Sequence, residues 1–199
     1  ILFNGFVNAS IERFARQIPF YLVRGNHETR GVFATKFLDY FPTPTGKTYF
    51  TLKHADTFFI ILDGGEDKPD SDLEYYETAV YDQFRREEAE GLKKVVESEE
   101  CKSAKHRIVF LHMPPIDGHK MWHGTKQIRE LFVPILNKAN ISVMLCGHVH
   151  TYSYHTDQAE FPILVNAFDT ALKAKVDENG IKIDVVDMEG KVKHTYSFK

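Results

Sequence analysis

Cysteine is scarce in this sequence, with only Cys101 and Cys146 among 199 residues. Two thiols cannot build a disulfide framework or an all-cysteine zinc site. Tryptophan occurs once, at Trp122. A surplus of either charge is lacking too. With 25 Lys+Arg against 28 Asp+Glu, the formal net charge is −3. That argues against a nucleic-acid surface spread over the molecule and leaves room for a local basic pocket. Long apolar runs are missing. Stretches such as residues 58–62 fall far short of the roughly 18–20 residues that cross a bilayer. No initiator Met or signal peptide precedes Ile1-Leu2-Phe3, which reads as the middle of a buried strand. The expectation is a piece of a longer chain.

What is present is a globular composition, 43% hydrophobic and 27% charged. Sixteen Phe and nine Tyr exclude disorder. The length supports one sizeable core, and no repeat or linker interrupts it. A single domain over residues 1–199 is expected.

Residues 48–52 alternate, while residues 57–62, 107–111 and 141–146 are continuously apolar, as strands buried on both faces are. Residues 20–23 form a further strand candidate. Helical periodicity marks residues 10–17 and residues 31–40, the latter with Val32, Phe33, Phe37 and Phe41 on one face. A Ser71/Glu74 capping box opens a long helix that carries Leu73, Tyr76, Val80, Phe84 and Leu92. Gly91 sits inside it, at a cost of about 1 kcal/mol relative to Ala. A last helix covers Ile128 to Leu136, interrupted near Pro134. Residues 63–72, rich in Gly, Asp and Pro, read as a loop. The final forty residues are short strands with turns at Asn179-Gly180 and Glu189-Gly190. Helices between short apolar strands imply an α/β fold with a partly parallel sheet, where ligands gather at the carboxyl ends of strands.

Six of the ten histidines fall between positions 106 and 150. Three strands end in metal-ligand side chains: one at Gly25-Asn26-His27-Glu28, one at His112, one at Gly147-His148-Val149-His150. Amide oxygen and neutral imidazole together suit a divalent ion of intermediate hardness. In an extended segment His148 and His150 face the same side. Taken singly, each group has an ordinary explanation as a solvated turn or strand-end residue. Jointly, three independent strand ends would all need accidental ligands, and the metal-site reading prevails.

In combination these motifs resemble the later motifs of the calcineurin-like metallophosphoesterases. Extended to Thr151-Tyr152, the last one resembles the purple-acid-phosphatase-like branch, including its bacterial, secreted members. The resemblance spans essentially the whole chain. It implies a four-layer α-β-β-α sandwich of the metallo-dependent phosphatase type. It also implies two divalent metal ions (Fe, Mn or Zn) and in-line attack on a phosphate ester by a bridging hydroxide. Asn26, His112 and His148 match the ligands of the second metal, and His150 matches a ligand of the first. His27 matches the unliganded catalytic histidine that protonates the leaving oxygen.

The family's first motif, Asp-x-His, would lie ahead of Ile1. Its second is Gly-Asp-x-x-(Asp/Asn/Tyr), whose Asp bridges the metals. Here the chain reads Asn4-Gly5-Phe6-Val7-Asn8, one Asp short between Gly5 and Phe6. As it stands, the chain is expected to hold one metal or none tightly and to hydrolyse little. Asn8 stands where purple acid phosphatases carry an iron-bound Tyr, so a colourless centre is expected, with Asn8 behind the ligands.

His119, Trp122 and His123 belong to a loop after His112 that either overhangs the centre or is a polar surface loop. Tyr152 lines the same pocket or sits in the core. The acidic loop 64–70 reads as a lid or, more commonly, a solvated turn. Arg24 and Arg30, flanking Asn26, either attract an anionic substrate or form ion pairs. His54, His106, His155 and His194 are read as bystanders. The leading function is a phosphomonoesterase, periplasmic or secreted, without nucleic-acid surface or membrane span. The alternatives are a phosphodiesterase or nucleotidase, or a catalytically dead domain that binds a phosphorylated ligand or partner.

Overall fold

The structure is a computed structural model that describes residues 7–117 and 121–199. The expected strand at Ile1 and the Gly5–Phe6 junction lie outside the described residues, as does His119.

Helix α1 (Asn8–Ser10) runs into a π-helical turn (Ile11–Ala15), matching the helical reading of residues 10–17. Residues 20–23 join no ladder among the described residues, so that strand expectation fails; Tyr21 is half exposed against Phe50. A 3-10 turn (Ala34–Lys36) and the single turn α2 (Phe37–Tyr40) replace the expected helix over residues 31–40. Of its apolar stripe, Phe37 is buried while Val32 and Phe33 are exposed. With Val32 and Phe33 left exposed, periodicity alone does not sustain a helix here.

Strands β1 (Phe50–His54) and β2 (Thr57–Ile61) form a hairpin at the margin of a six-stranded sheet. Helix α3 (Tyr81–Glu97) and the short α4 (Glu99–Ser103) follow. Then come β3 (His106–Phe110), α5 (His123–Leu136), β4 (Val143–Cys146), β5 (Ser153–His155) and β6 (Ile163–Val165). The sheet order is β1-β2-β3-β4-β6-β5, with β2, β3, β4 and β6 parallel and the two edge strands antiparallel. Strands β7 (Thr170–Asp177), β8 (Gly180–Asp187) and β9 (Val192–Phe198) form a separate antiparallel sheet.

The continuous apolar runs now have their reason. Phe58, Ile60, Val109, Met144, Ile163 and Val165 face α3 and α5, where Leu92, Ile128, Phe132 and Leu136 complete one core. The intervening Ile108, Val143, Leu145 and Leu164 face the second sheet, where Ile181, Ile183 and Val185 complete another. Alternate residues therefore meet a helix layer and a sheet layer, and both faces are dry. Helices, large sheet and small sheet stack in that order, the α-β-β part of the expected mixed α/β sandwich.

Two helix boundaries differ from expectation. Asp72, not Ser71, accepts the Glu74 N–H, and the turn it caps (Leu73–Tyr75) stops at Tyr76 and Glu77, both at positive φ. Leu73, Tyr76 and Val80 are consequently exposed. Helix α3 starts only at Tyr81, where the Asp70 carboxylate accepts the N–H groups of Tyr81 and Asp82 at 2.8 and 3.1 Å. Pro134 lies inside α5 without ending it, and α5 begins at His123, five residues earlier than expected.

Two glycines inside these helices have opposite surroundings. A Cβ on Gly91 would meet only a Tyr49 ring carbon at 3.8 Å, whereas one on Gly124 would lie 2.1 Å from the Glu66 carbonyl oxygen. Gly91→Ala should therefore stabilise the fold by roughly 0.5–1 kcal/mol. Gly124→Ala should destabilise it by about 1–3 kcal/mol or more, because backbone cannot step aside. Chemical denaturation of the two variants checks both signs.

Candidate metal centre

The carboxyl ends of β2, β3 and β4, three neighbouring parallel strands, open onto one edge of the sheet. From β3 comes His112, and from β4 come Gly147 and His148. Gly25 and the 3-10 turn Asn26–Thr29 cross the same edge and bring a buried Asn26. The rings of His112 and His148 meet edge to face, their centroids 5.2 Å apart. A Cβ on Gly25 would lie 2.8 Å from the Glu28 carboxylate and 3.0 Å from the His112 ring, so only glycine lets the chain pass this close. Glu28 closes the turn by accepting the Gly25 N–H at 3.0 Å.

From β2 comes the acidic loop, which is no solvated turn. Asp63, Glu66 and Asp67 are all buried. Asp63 accepts from Arg24 at 2.6 Å, and Glu66 takes both Arg30 Nε (2.5 Å) and Nη2 (2.8 Å). Burial works against the Glu66 charge. Hydrogen bonds from Arg30, Thr29 and Tyr75 outweigh it and hold that carboxyl below its ordinary pKa. Arg24 and Arg30 are thus spent on ion pairs. The fully buried Arg85 donates to the Gly64 and Glu66 carbonyls (2.9 and 3.0 Å) and to Gln127 of α5 (2.8 Å). Gly124 N–H, at the start of α5, donates to the Asp67 carbonyl at 2.7 Å. The sequence offers this loop as a lid or a solvated turn and not as a buried anchor; the one signal for the latter is the pair of arginines flanking Asn26.

Within the centre, Asn26 Nδ2 donates to Asp67 Oδ2 at 3.3 Å, and His148 Nε2 lies 4.0 Å from the same oxygen. Burial first, and then electrostatic repulsion from the neighbouring imidazoles, drives the His112 pKa down to about 4. Burial lowers His148 as well, against the pull of Asp67. Both imidazoles are neutral near pH 7 and so carry a lone pair for a metal. Buried amide oxygen and two neutral imidazoles fit one cation in donor chemistry. Among the described residues, however, no three His, Cys, Asp or Glu side chains close on one point. For a second cation, the described residues add His150, which is exposed.

The other expectations fall as follows. His148 and His150 do not lie in an extended segment. Both have positive φ (71° and 59°), and Val149 N–H turns back to the Gly147 carbonyl. His27 is exposed on the turn that buries Asn26, and Asn8 is exposed in α1. Trp122 lines a cleft of ≈ 240 Å³ beside His148, with Pro114, Ile116, Met121 and Thr125. His123 is turned to Asp82, 2.8 Å away. Tyr152 packs between the sheets, stacked on His194 and hydrogen-bonded to the Tyr196 hydroxyl, the core alternative of its two readings. His106 is buried, with Nε2 3.3 Å from the Asp177 carbonyl.

Parallel strands that bring His112 and His148 to one sheet edge, crossed there by the turn that carries Asn26 and backed by a second sheet, match a metallophosphoesterase-type α/β fold. Residues 2–152 match the model of the calcineurin-like phosphoesterase family, and the chain belongs to that family. Serine/threonine-protein phosphatase CPPED1 of Rattus norvegicus is 23% identical over 186 residues, 91% of this chain and 56% of its own length. The chain thus spans about half the length of the curated relatives it matches. Among solved structures, purple acid phosphatase PPD1 from yellow lupin (Lupinus luteus) seeds aligns with a TM-score of 0.63 and 13% identity, covering 95% of this chain and 42% of that one. A dimetal phosphatase from Danio rerio gives 0.62 and 12%, covering 97% and 76%. At such identities these structures speak for the fold.

One acid behind the centre is neutral. Glu88 is fully buried in α3; it accepts the Asp63 N–H at 2.7 Å, and its second oxygen has no partner. Burial, then the Asp63 charge, raises its pKa well above the ordinary 4.5. The unfolded chain releases this proton at lower pH than the folded chain does. Stability is therefore lost as pH rises through the unfolded value, until the folded carboxyl itself ionises. Glu88→Gln should raise the melting temperature at about pH 8 and give no gain below about pH 4. Equal gains at both pH values would show that Glu88 is not the titrating group.

Proposed function

We propose that this chain carries the centre of a metal-dependent phosphate-ester hydrolase acting by preference on monoesters. One observation carries the reading: a buried Asn26 amide and the neutral imidazoles of His112 and His148 converge at the carboxyl ends of neighbouring parallel strands. Family membership supplies the phosphoesterase class.

Asn26, His112 and His148 would hold the cation. The family resemblance and the dimetal neighbour favour a second divalent ion, with His150 among its ligands. Fe, Mn and Zn all suit such donors. When bound, the metal supplies Lewis-acid stabilisation of phosphoryl charge. His27 stands next to Asn26 on the same turn and is solvent-exposed. From there it donates a proton to the departing alcohol oxygen and recovers it from water. The cleft beside His148 accepts the organic group against Trp122, Met121 and Ile116. This single cleft takes the one organic group of a monoester. We place the intact protein in the periplasm or outside the cell, following the secreted members it resembles. No helix among the described residues is long and apolar enough to cross a membrane.

Titration calorimetry with Zn2+ and Mn2+, paired with hydrolysis of p-nitrophenyl and bis-p-nitrophenyl phosphate, tests this. Asn26→Ala and His112→Ala should each weaken metal binding more than about tenfold. His27→Ala should keep the affinity and lower kcat by roughly 10²–10⁴-fold. Faster turnover of the diester would overturn the monoester preference. Absence of both binding and hydrolysis would leave a phospho-ligand or partner-binding domain.

A further inference from the structure

Asp67 has an arrangement that ion pairing alone does not explain. It is 7% exposed, and its Oδ1 is buried without a hydrogen-bond partner, with Arg30 Nη2 3.6 Å away. A carboxylate left this dry and incompletely bonded costs stability. Its other oxygen, Oδ2, is aimed into the centre, accepting from Asn26 Nδ2 and standing 4.0 Å from His148 Nε2. Its backbone is pinned independently, through the carbonyl bond to Gly124 N–H.

From this we infer that Asp67 is a positioning residue that orients two of the metal-holding side chains at once. A carboxylate only accepts, so the amide atom facing it must be nitrogen. Asn26 is thereby locked with its oxygen turned away from Asp67, towards whatever cation the site takes. The same oxygen lies 4.0 Å from His148 Nε2, beyond hydrogen-bond length, and its negative charge favours the tautomer protonated there. That leaves Nδ1 as the lone-pair nitrogen, held in place by a backbone at φ 71°. A carboxylate behind a metal-binding imidazole also raises its basicity. One side chain from the β2 loop thus sets the amide flip of Asn26 and the tautomer of His148, neither of which it covalently adjoins.

The inference about ligand presentation rests on the metal reading above, but the tautomer is measurable without metal. In the metal-free full chain, long-range 1H–15N correlation at about pH 8, where imidazoles are neutral, should show His148 as the Nε2–H form. Asp67→Ala should move it towards the Nδ1–H form. Asp67→Asn, equal in volume, keeps an acceptor and should give an intermediate shift; it also serves if the alanine variant fails to fold. Metal-free melting temperatures close to that of the unmodified chain are expected. Zn2+ titration should then show affinity reduced by roughly tenfold to hundredfold in Asp67→Ala, less in Asp67→Asn. An unchanged His148 tautomer together with unchanged Zn2+ affinity overturns the role of Asp67. If the tautomer responds to Asp67 while neither the unmodified chain nor its variants bind metal, the positioning stands and the metal reading falls.

Discussion

Everything at the working edge of this molecule depends on a guanidinium with no access to water. Arg85 ties the acidic loop's carbonyls to α3 and, through Gln127, to α5. Three carboxylates, Asp63, Glu66 and Asp67, are buried there. Arg24 pairs with Asp63 and Arg30 with Glu66 and Asp67, while Arg85 pairs with Asp82 and spends its other N–H groups on the loop carbonyls. Each buried carboxylate of the loop thus has a cation beside it, the condition under which buried ions are tolerable. A purely apolar packing would be as stable, but it could not aim a carboxylate at Asn26.

The strands were legible in the sequence because each is dry on both faces, and a helix layer on one side and a sheet on the other demand the same apolar residues. Asn26 and His148 stood out in the sequence because each follows a glycine, and His112 because it closes a continuously apolar run. The acidic loop was not legible. Gly, Asp and Pro at residues 63–72 describe a solvated turn equally well, and its burial is decided by arginines 19 to 39 positions away. Residues 31–40 erred in the other direction. Their spacing is helical, yet Val32 and Phe33 meet no cover among the described residues. Tyr152 could not be assigned from its neighbours in the chain, since its partners Tyr196 and His194 lie on β9.

The backbone of the His-x-His segment adds a second constraint. Two non-glycine residues in the left-handed region, His148 and His150, cost of order 1–3 kcal/mol each. An extended continuation of β4 would avoid that cost and carry the rings past the sheet edge. Turning at once keeps His148 edge-on to His112 and within reach of Asp67. Strain is thus concentrated where histidines from separate strands meet.

The absence of a side chain at Gly124 has a mechanical meaning. The first turn of α5 rests directly on the peptide of Glu66 and Asp67, backbone on backbone, with no soft layer between. Trp122, two residues earlier, forms a wall of the cleft that borders His148. The wall of that cleft and the Asp67 peptide are consequently joined through one direct backbone contact, and nothing larger than hydrogen fits between them.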